Sequence, residues 1–113
     1  DYQDAGIEMQ ISTPARAMLE CLSLCPDGFP LVEGYELMEG LATLRPGSVQ
    51  ELLESCKSIK TKRLFLYFAQ RAGHSWFKHI DTSRIELGNG NRSLVKGGVL
   101  VPKYKLVLPE ELA

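Results

Sequence analysis

The sequence predicts an α+β fold: an N-terminal bundle of four to five short helices packed on a small, mostly antiparallel sheet. That sheet is expected to form from the first strand together with the C-terminal strands. Apolar residues recur at helical spacing in successive stretches from residue 14 to residue 80. After Asp81 the pattern changes to period-2 alternation interrupted by Gly, Asn and Pro. One early segment, Gly6–Ser12, alternates in the same way and needs partners, because an isolated hairpin or strand is marginal in water. With 113 residues, 44% of them apolar, the chain is long enough for one core, and a single domain over residues 1–113 is expected.

Ser12 or Thr13 is placed to cap the first helix, with Pro14 at its first position and Ala15, Met18, Leu19, Leu22 and Cys25 as its buried stripe. Pro26-Asp27-Gly28-Phe29-Pro30 is a turn cluster that ends it. A second helix is predicted from about Leu31 to Leu44, with Tyr35, Leu37, Met38, Leu41 and Ala42 inward and Glu33, Glu36 and Glu39 as an acidic outer edge. Arg45-Pro46-Gly47 breaks the pattern. Ser48 then caps a third helix to about Ser58, buried through Val49, Leu52, Leu53 and Cys56.

The fourth helix is the centre of the chain. Leu64, Phe65, Phe68, Ala69 and Ala72 form a wide apolar face, Leu66 and Tyr67 flank it, and Gly73 suits a left-handed stop. Arg63 and Gln70 fall opposite. Lys60, Lys62 and Arg63 stand in its first turn, where the helix dipole disfavours cations, so each should meet nearby acids or an anionic ligand. Ser75–Ile80 continues as a short helical turn docking Trp76 and Phe77. Strands are then predicted at Arg84–Leu87, Leu94–Leu100 and Pro102–Pro109, with Gly88-Asn89-Gly90-Asn91 as a loop needing positive φ. Alternation on the last strand puts Lys103 and Lys105 on one face, opposite Tyr104 and Leu106.

Charge divides the chain. Residues 1–54 hold ten acids against two bases and residues 55–113 hold eleven bases against four acids, giving formal charges of −8 and +7. The halves either pair internally or present a basic surface to nucleic acid. No apolar run approaches the roughly 20 residues that span a bilayer, and no membrane partner is expected. Cys21, Cys25 and Cys56 are an odd number without metal-ligand company, which fits a reducing, cytoplasmic location.

No constellation for catalysis emerges. His74 and His79 lack a carboxylate or cysteine at metal spacing, so neither a metal nor a cofactor is expected. The cysteines read as apolar filling, and the spaced glutamates as exposed helix faces. Gly88-Asn89-Gly90-Asn91-Arg92 is glycine-rich like a phosphate loop but is followed by strand residues rather than a helix. It reads as a β-connection in which Arg92 and Lys96 stand beside backbone amides.

Four segments, in this order, resemble the C-terminal domain of the AbiEi antitoxins of bacterial type IV toxin–antitoxin and abortive-infection systems. They are Ile11-Ser12-Thr13-Pro14-Ala15-Arg16-Ala17, Lys60-Thr61-Lys62-Arg63-Leu64-Phe65, Leu87-Gly88-Asn89-Gly90-Asn91-Arg92, and Lys96-Gly97-Gly98 with Pro102-Lys103-Tyr104-Lys105. The resemblance runs from about Ile7 to Pro109. It implies a non-enzymatic domain that antagonises a nucleotidyltransferase-like toxin without a stable complex between the two. It also implies a basic surface whose ligand is DNA or RNA, and an accompanying winged-helix domain that represses the operon. That winged helix is expected to be absent from this chain.

On this reading the nucleic-acid-binding candidates are Lys60, Lys62 and Arg63 from the central helix and Arg92, Lys96, Lys103 and Lys105 from the strands. Arg16 is expected to anchor the first helix to an acid such as Glu20 one turn on. Two alternatives stand beside it. The acidic helices form a protein-interaction module for a basic partner, or Lys60, Lys62 and Arg63 pair with first-half acids and serve folding alone.

Overall fold

The computed structural model describes residues 13–113. Helix α1 (Pro14–Leu24) begins where the Thr13 hydroxyl accepts the Arg16 amide at 3.2 Å, with Pro14 in the first turn. Proline there has no amide to leave unpaired. Ala15, Met18 and Leu22 are its buried line, as the spacing predicts.

Helix α2 (Leu31–Glu39) is shorter than predicted and turns a different line inward. Leu31, Gly34 and Met38 are buried, whereas Leu37 and Ala42, predicted inward, are exposed. Two side chains meet backbone oxygens at and beyond its end. His74 Nε2 hydrogen-bonds the Met38 carbonyl at 2.6 Å, and Trp76 Nε1 donates to the Leu41 carbonyl at 2.7 Å. A Cβ on Gly34 would stand 3.2 Å from Leu22 Cδ2 and 3.5 Å from Cys25 Sγ, so its missing side chain is what lets α2 lie against α1.

Helix α3 (Pro46–Ser55) starts at Pro46 rather than after Ser48, proline again fitting a first turn, and buries Val49 and Leu53. Helix α4 (Ile59–Ala72) is capped by Ser58, whose hydroxyl accepts the Thr61 amide at 3.2 Å, and closes on Gly73 at φ 75°. From Thr61 through Leu66 it is buried on every side. α1 and α2 pack on its apolar face, where Tyr35 meets Phe68 edge-on at 5.3 Å, and Trp76, from the 3₁₀ turn Ser75–His79, lies 6.1 Å from Phe65.

The cations of α4's first turn depart from both expectations made for them. Lys60 reaches back to the end of α1, where Nζ donates to the carbonyls of Leu22 at 3.1 Å, Ser23 at 2.9 Å and Cys25 at 2.5 Å. These belong to the orphan acceptors at a helix C-terminus, the end whose dipole favours a cation. Lys60 therefore opposes its own helix dipole while satisfying its neighbour's. Burial lowers its pKa, and Cys25 and Asp27 pull the other way. Lys62 is 3% exposed and Arg63 1%, so the surface placement predicted for them does not hold.

Beyond Asp81 the strands are shorter than the alternation suggests. Arg84–Leu87, predicted as a strand, begins instead as the end of a 3₁₀ turn (Thr82–Arg84) capped by the Asp81 carboxylate, and Arg84 pairs with Glu54 at 3.5 Å. The sheet is formed by β1 (Arg92–Ser93), β2 (Val99–Val101) and β3 (Leu106–Leu108) in the order β1-β3-β2, with β3 parallel to β1 and antiparallel to β2. Pro102–Lys105 is the β2–β3 turn rather than strand, because the register Val101↔Leu106 leaves four residues to reverse the chain. Burial still alternates through it, with Tyr104, Leu106 and Leu108 inside and Lys103 and Lys105 outside. The strand predicted at Gly6–Ser12 lies outside the described residues. Among those described, no helix is long and apolar enough to cross a membrane.

The Lys60 contacts give a direct expectation. Lys60→Met, which keeps the aliphatic stem and removes the donor, should lower stability by about 1–3 kcal/mol in urea denaturation, the cost of orphaning buried acceptors. An unchanged midpoint would show that water replaces the ammonium without loss.

Candidate nucleic-acid interface

The loop after Ile85 and the β2–β3 turn owe their shape to one side chain from α4. Arg63 Nε donates to the Leu87 carbonyl at 2.8 Å, and Nη1 donates to the carbonyls of Gly90 at 2.9 Å and Lys105 at 3.3 Å. A planar guanidinium can gather acceptors from three segments at fixed angles, which a lysine ammonium on a flexible stem cannot. In place of a strand at Arg84–Leu87, the Leu87 carbonyl is met by this guanidinium. Gly88 and Gly90 sit at φ 69° and 79°, where other residues are strained, and these bends let the flanking carbonyls reach Arg63.

Arg63 brings two exposed cations together through their backbones. The Lys105 carbonyl that it holds also accepts the Arg92 amide at 2.8 Å, which places the start of β1 beside the turn before β3. Lys105 adopts φ 55°, the one non-glycine residue at positive φ among those described. Burial lowers the Arg63 pKa, and the neighbouring Arg92 charge lowers it further. Like charges therefore converge here, the arrangement that an anion relieves.

Lys103 completes the group. Its Nζ donates to Gln70 Oε1 at 3.2 Å and lies 5.5 Å from the centre of the Tyr104 ring. Tyr104 donates its hydroxyl to the same oxygen at 2.8 Å, and burial pushes its pKa up to about 12. A cleft of about 160 Å³ opens between these parts, lined by Arg63, Leu87, Gly88, Lys103, Tyr104 and Lys105. Its floor is a buried guanidinium and its rim carries exposed ammonium groups.

Of the seven residues singled out from the sequence, Arg92, Lys103 and Lys105 are exposed and share one end of the sheet, with Arg63 buried beneath them. Lys96 is exposed in the turn after β1, at the opposite end. A three-residue strand separates the ends by about 10 Å at a rise of about 3.3 Å per residue. Lys60 serves the end of α1, and Lys62 is buried in α4. Gln70 and Tyr104 went unnoticed in the sequence as parts of the site. Tyr104's place among the buried alternating residues was the available signal for it, and an isolated exposed glutamine gave none.

Other polar groups have structural partners. His74 stacks on Trp76 at 5.4 Å while bonding Met38, and the Cys25 thiol is buried with its pKa raised by that burial, opposite to what a nucleophile needs. Among the described residues no group of His, Cys, Asp and Glu is placed to hold a metal.

A family model described as "Transcriptional regulator, AbiEi antitoxin, Type IV TA system" matches residues 2–109. No curated protein and no solved structure matches the chain.

Two outcomes test the site's construction. Arg63→Met should cost roughly 2–5 kcal/mol in urea denaturation, since it leaves carbonyls of three segments without their charged donor, and Arg63→Lys should recover little of it. A variant as stable as wild type would refute the role of the guanidinium. Tyr104, whose folded pKa lies above the unfolded value of about 10, contributes stability that is complete below about pH 10 and declines as pH rises toward about 12. Tyr104→Phe should flatten that alkaline decline in thermal melts, and an identical decline in both proteins would exclude Tyr104 as its source.

Proposed function

The chain belongs to the AbiEi antitoxin family of type IV toxin–antitoxin systems, and on that premise we propose that it counters its toxin without catalysis, through a cationic surface that holds nucleic acid. The observation that carries this reading is the cleft rimmed by Lys103 and Lys105, with Arg92 on the adjoining strand and the Arg63 guanidinium as its floor. Phosphate contacts of this kind position a protein on nucleic acid without reading sequence, and lysine and arginine make most of them. Lys96, about one strand length away, extends the track along the backbone. The family's description as a transcriptional regulator agrees with a nucleic-acid ligand. The domain here corresponds to the toxin-antagonising part of such antitoxins, and the toxin is nucleotidyltransferase-like and countered without a lasting complex.

Arg63 acts in this reading from within. Arg63 fixes the backbone that displays the outer cations; it does not leave the core to meet a ligand. Lys60 belongs to the helix bundle. The electrostatic surface is therefore smaller than the +7 of the second half, and it sits at one end of the sheet.

Titrating labelled duplex DNA and a structured RNA at several salt concentrations tests this. Affinity should fall log-linearly with salt, with a slope of about −0.9 per phosphate contacted on duplex DNA or about −0.7 on a single strand. Lys96→Gln with Lys105→Gln should shallow that slope by about two contacts' worth and leave the melting temperature unchanged, because both side chains are exposed. Absence of binding at low salt, or a flat salt response, would sink the nucleic-acid reading. Light scattering on a mixture with the toxin of the same system separates the modes of antagonism, since a stable complex contradicts the non-contact part.

A further inference from the structure

The cleft at the end of the sheet holds a donor that the fold itself leaves unused. A guanidinium carries one N–H on Nε and two on each Nη. Arg63 turns Nε to the Leu87 carbonyl and Nη1 to those of Gly90 and Lys105, while Nη2 meets no acceptor among the described residues. The side chain is 1% exposed, and the cleft is where it reaches open space. A buried charged donor without an acceptor is unfavourable, so this one is poised for a ligand. The ligand that suits it is an anion. Lys105 lines the same cleft, and Arg92 adds its charge from β1. Lys103 is already turned to Gln70 and the Tyr104 ring, so it supplies charge at the rim rather than a contact. Glu86, on the loop that forms one wall, accepts the Gly88 amide at 2.9 Å, and among the described residues it pairs with none of these cations.

We propose that this cleft takes a phosphomonoester, and that, resting on the nucleic-acid reading above, the one it takes is the phosphate at the end of a strand. Size sets the first limit. The volume of about 160 Å³ equals that of roughly five waters at about 30 Å³ each, which accommodates a phosphoryl group and not a nucleoside. Access sets the second. Arg63 lies beneath the surface, so a group must go in to reach it. An internal phosphodiester has a sugar on either side and stays at the rim. A terminal phosphate has one substituent and three free oxygens, and it enters end-on. Charge points the same way: a monoester carries about −1.5 to −2 near neutral pH, more than a diester, and the excess falls where a buried guanidinium and its neighbouring cations converge. Lys96, at the other end of the sheet, is then left for an internal phosphate of the same strand.

Binding of single strands of one sequence, ending in a 5′-phosphate, a 3′-phosphate or hydroxyls only, tests this. At least one phosphorylated strand should bind roughly 10- to 100-fold tighter than the hydroxyl-ended one, the span of one hydrogen bond to a charged group. Lys105→Gln, an exposed change, should reduce that preference by a few-fold without shifting the melting temperature. Removing Arg63 endangers the fold, so its part is read on the wild type. Inorganic phosphate should shift the Arg63 Nε–H signal in a nitrogen–proton NMR spectrum and saturate, whereas sodium chloride at equal ionic strength should not. Equal affinity for all the strands, each falling with salt, overturns the terminal-phosphate proposal and leaves the nucleic-acid reading standing. An Arg63 signal indifferent to phosphate overturns the proposal as well. A saturable response to phosphate with no strand bound at low salt keeps the phosphomonoester cleft, assigns it to a free phosphorylated small molecule and removes the nucleic-acid reading.

Discussion

The C-terminal third of the molecule depends on a guanidinium that meets no carboxylate among the described residues. Arg63 is buried in the first half of α4 and donates to carbonyl oxygens of Leu87, Gly90 and Lys105. Burying a cation is unfavourable unless strong acceptors replace water, and backbone carbonyls, each a fixed dipole, supply that here. In return, three segments that have little regular structure of their own acquire a common anchor. Strands of two and three residues make few ladder bonds, so the sheet alone would hold the 87–105 region weakly. The sheet is better seen as a covering layer pinned to α4 than as an independent layer.

Lys60 repeats the principle at the other side of the helix, on the last carbonyls of α1. α4 thus connects the bundle and the sheet twice over, through its apolar side by packing and through its first turn by donors. The apparent conflict of placing cations at a helix N-terminus resolves once the acceptors are other elements' backbone oxygens.

These contacts also mark where reading the sequence succeeded and where it stopped. Side-chain periodicity located α1, α3 and α4, the Thr13 and Gly73 boundaries, and the alternation of Tyr104, Leu106 and Leu108, because those features are written in side-chain polarity. It mistook Leu37 for core and passed over Gly34, since close helix approach rewards the absence of a side chain and leaves no apolar letter to count. It lengthened α2 and invented a strand at Arg84–Leu87, stretches whose carbonyls are met by the side chains of His74, Trp76 and Arg63, contacts that no local pattern announces. Of the basic candidates, Arg92, Lys103 and Lys105 do gather at the surface, whereas Lys62 and Arg63 went inward. Charge in a sequence does not say whether its partner is water, an acid or a peptide oxygen.

Gripping carbonyls has one more consequence, for how such a surface can change over time. Every residue offers a backbone oxygen, so the anchor at Leu87, Gly90 and Lys105 is indifferent to what most of those side chains are. Residues on the outer rim can be exchanged one at a time while the scaffold beneath them stays in place. Arg63 itself, and the glycines whose bends feed it, have no such freedom. The molecule thereby separates an exterior that can be exchanged from a mount that cannot.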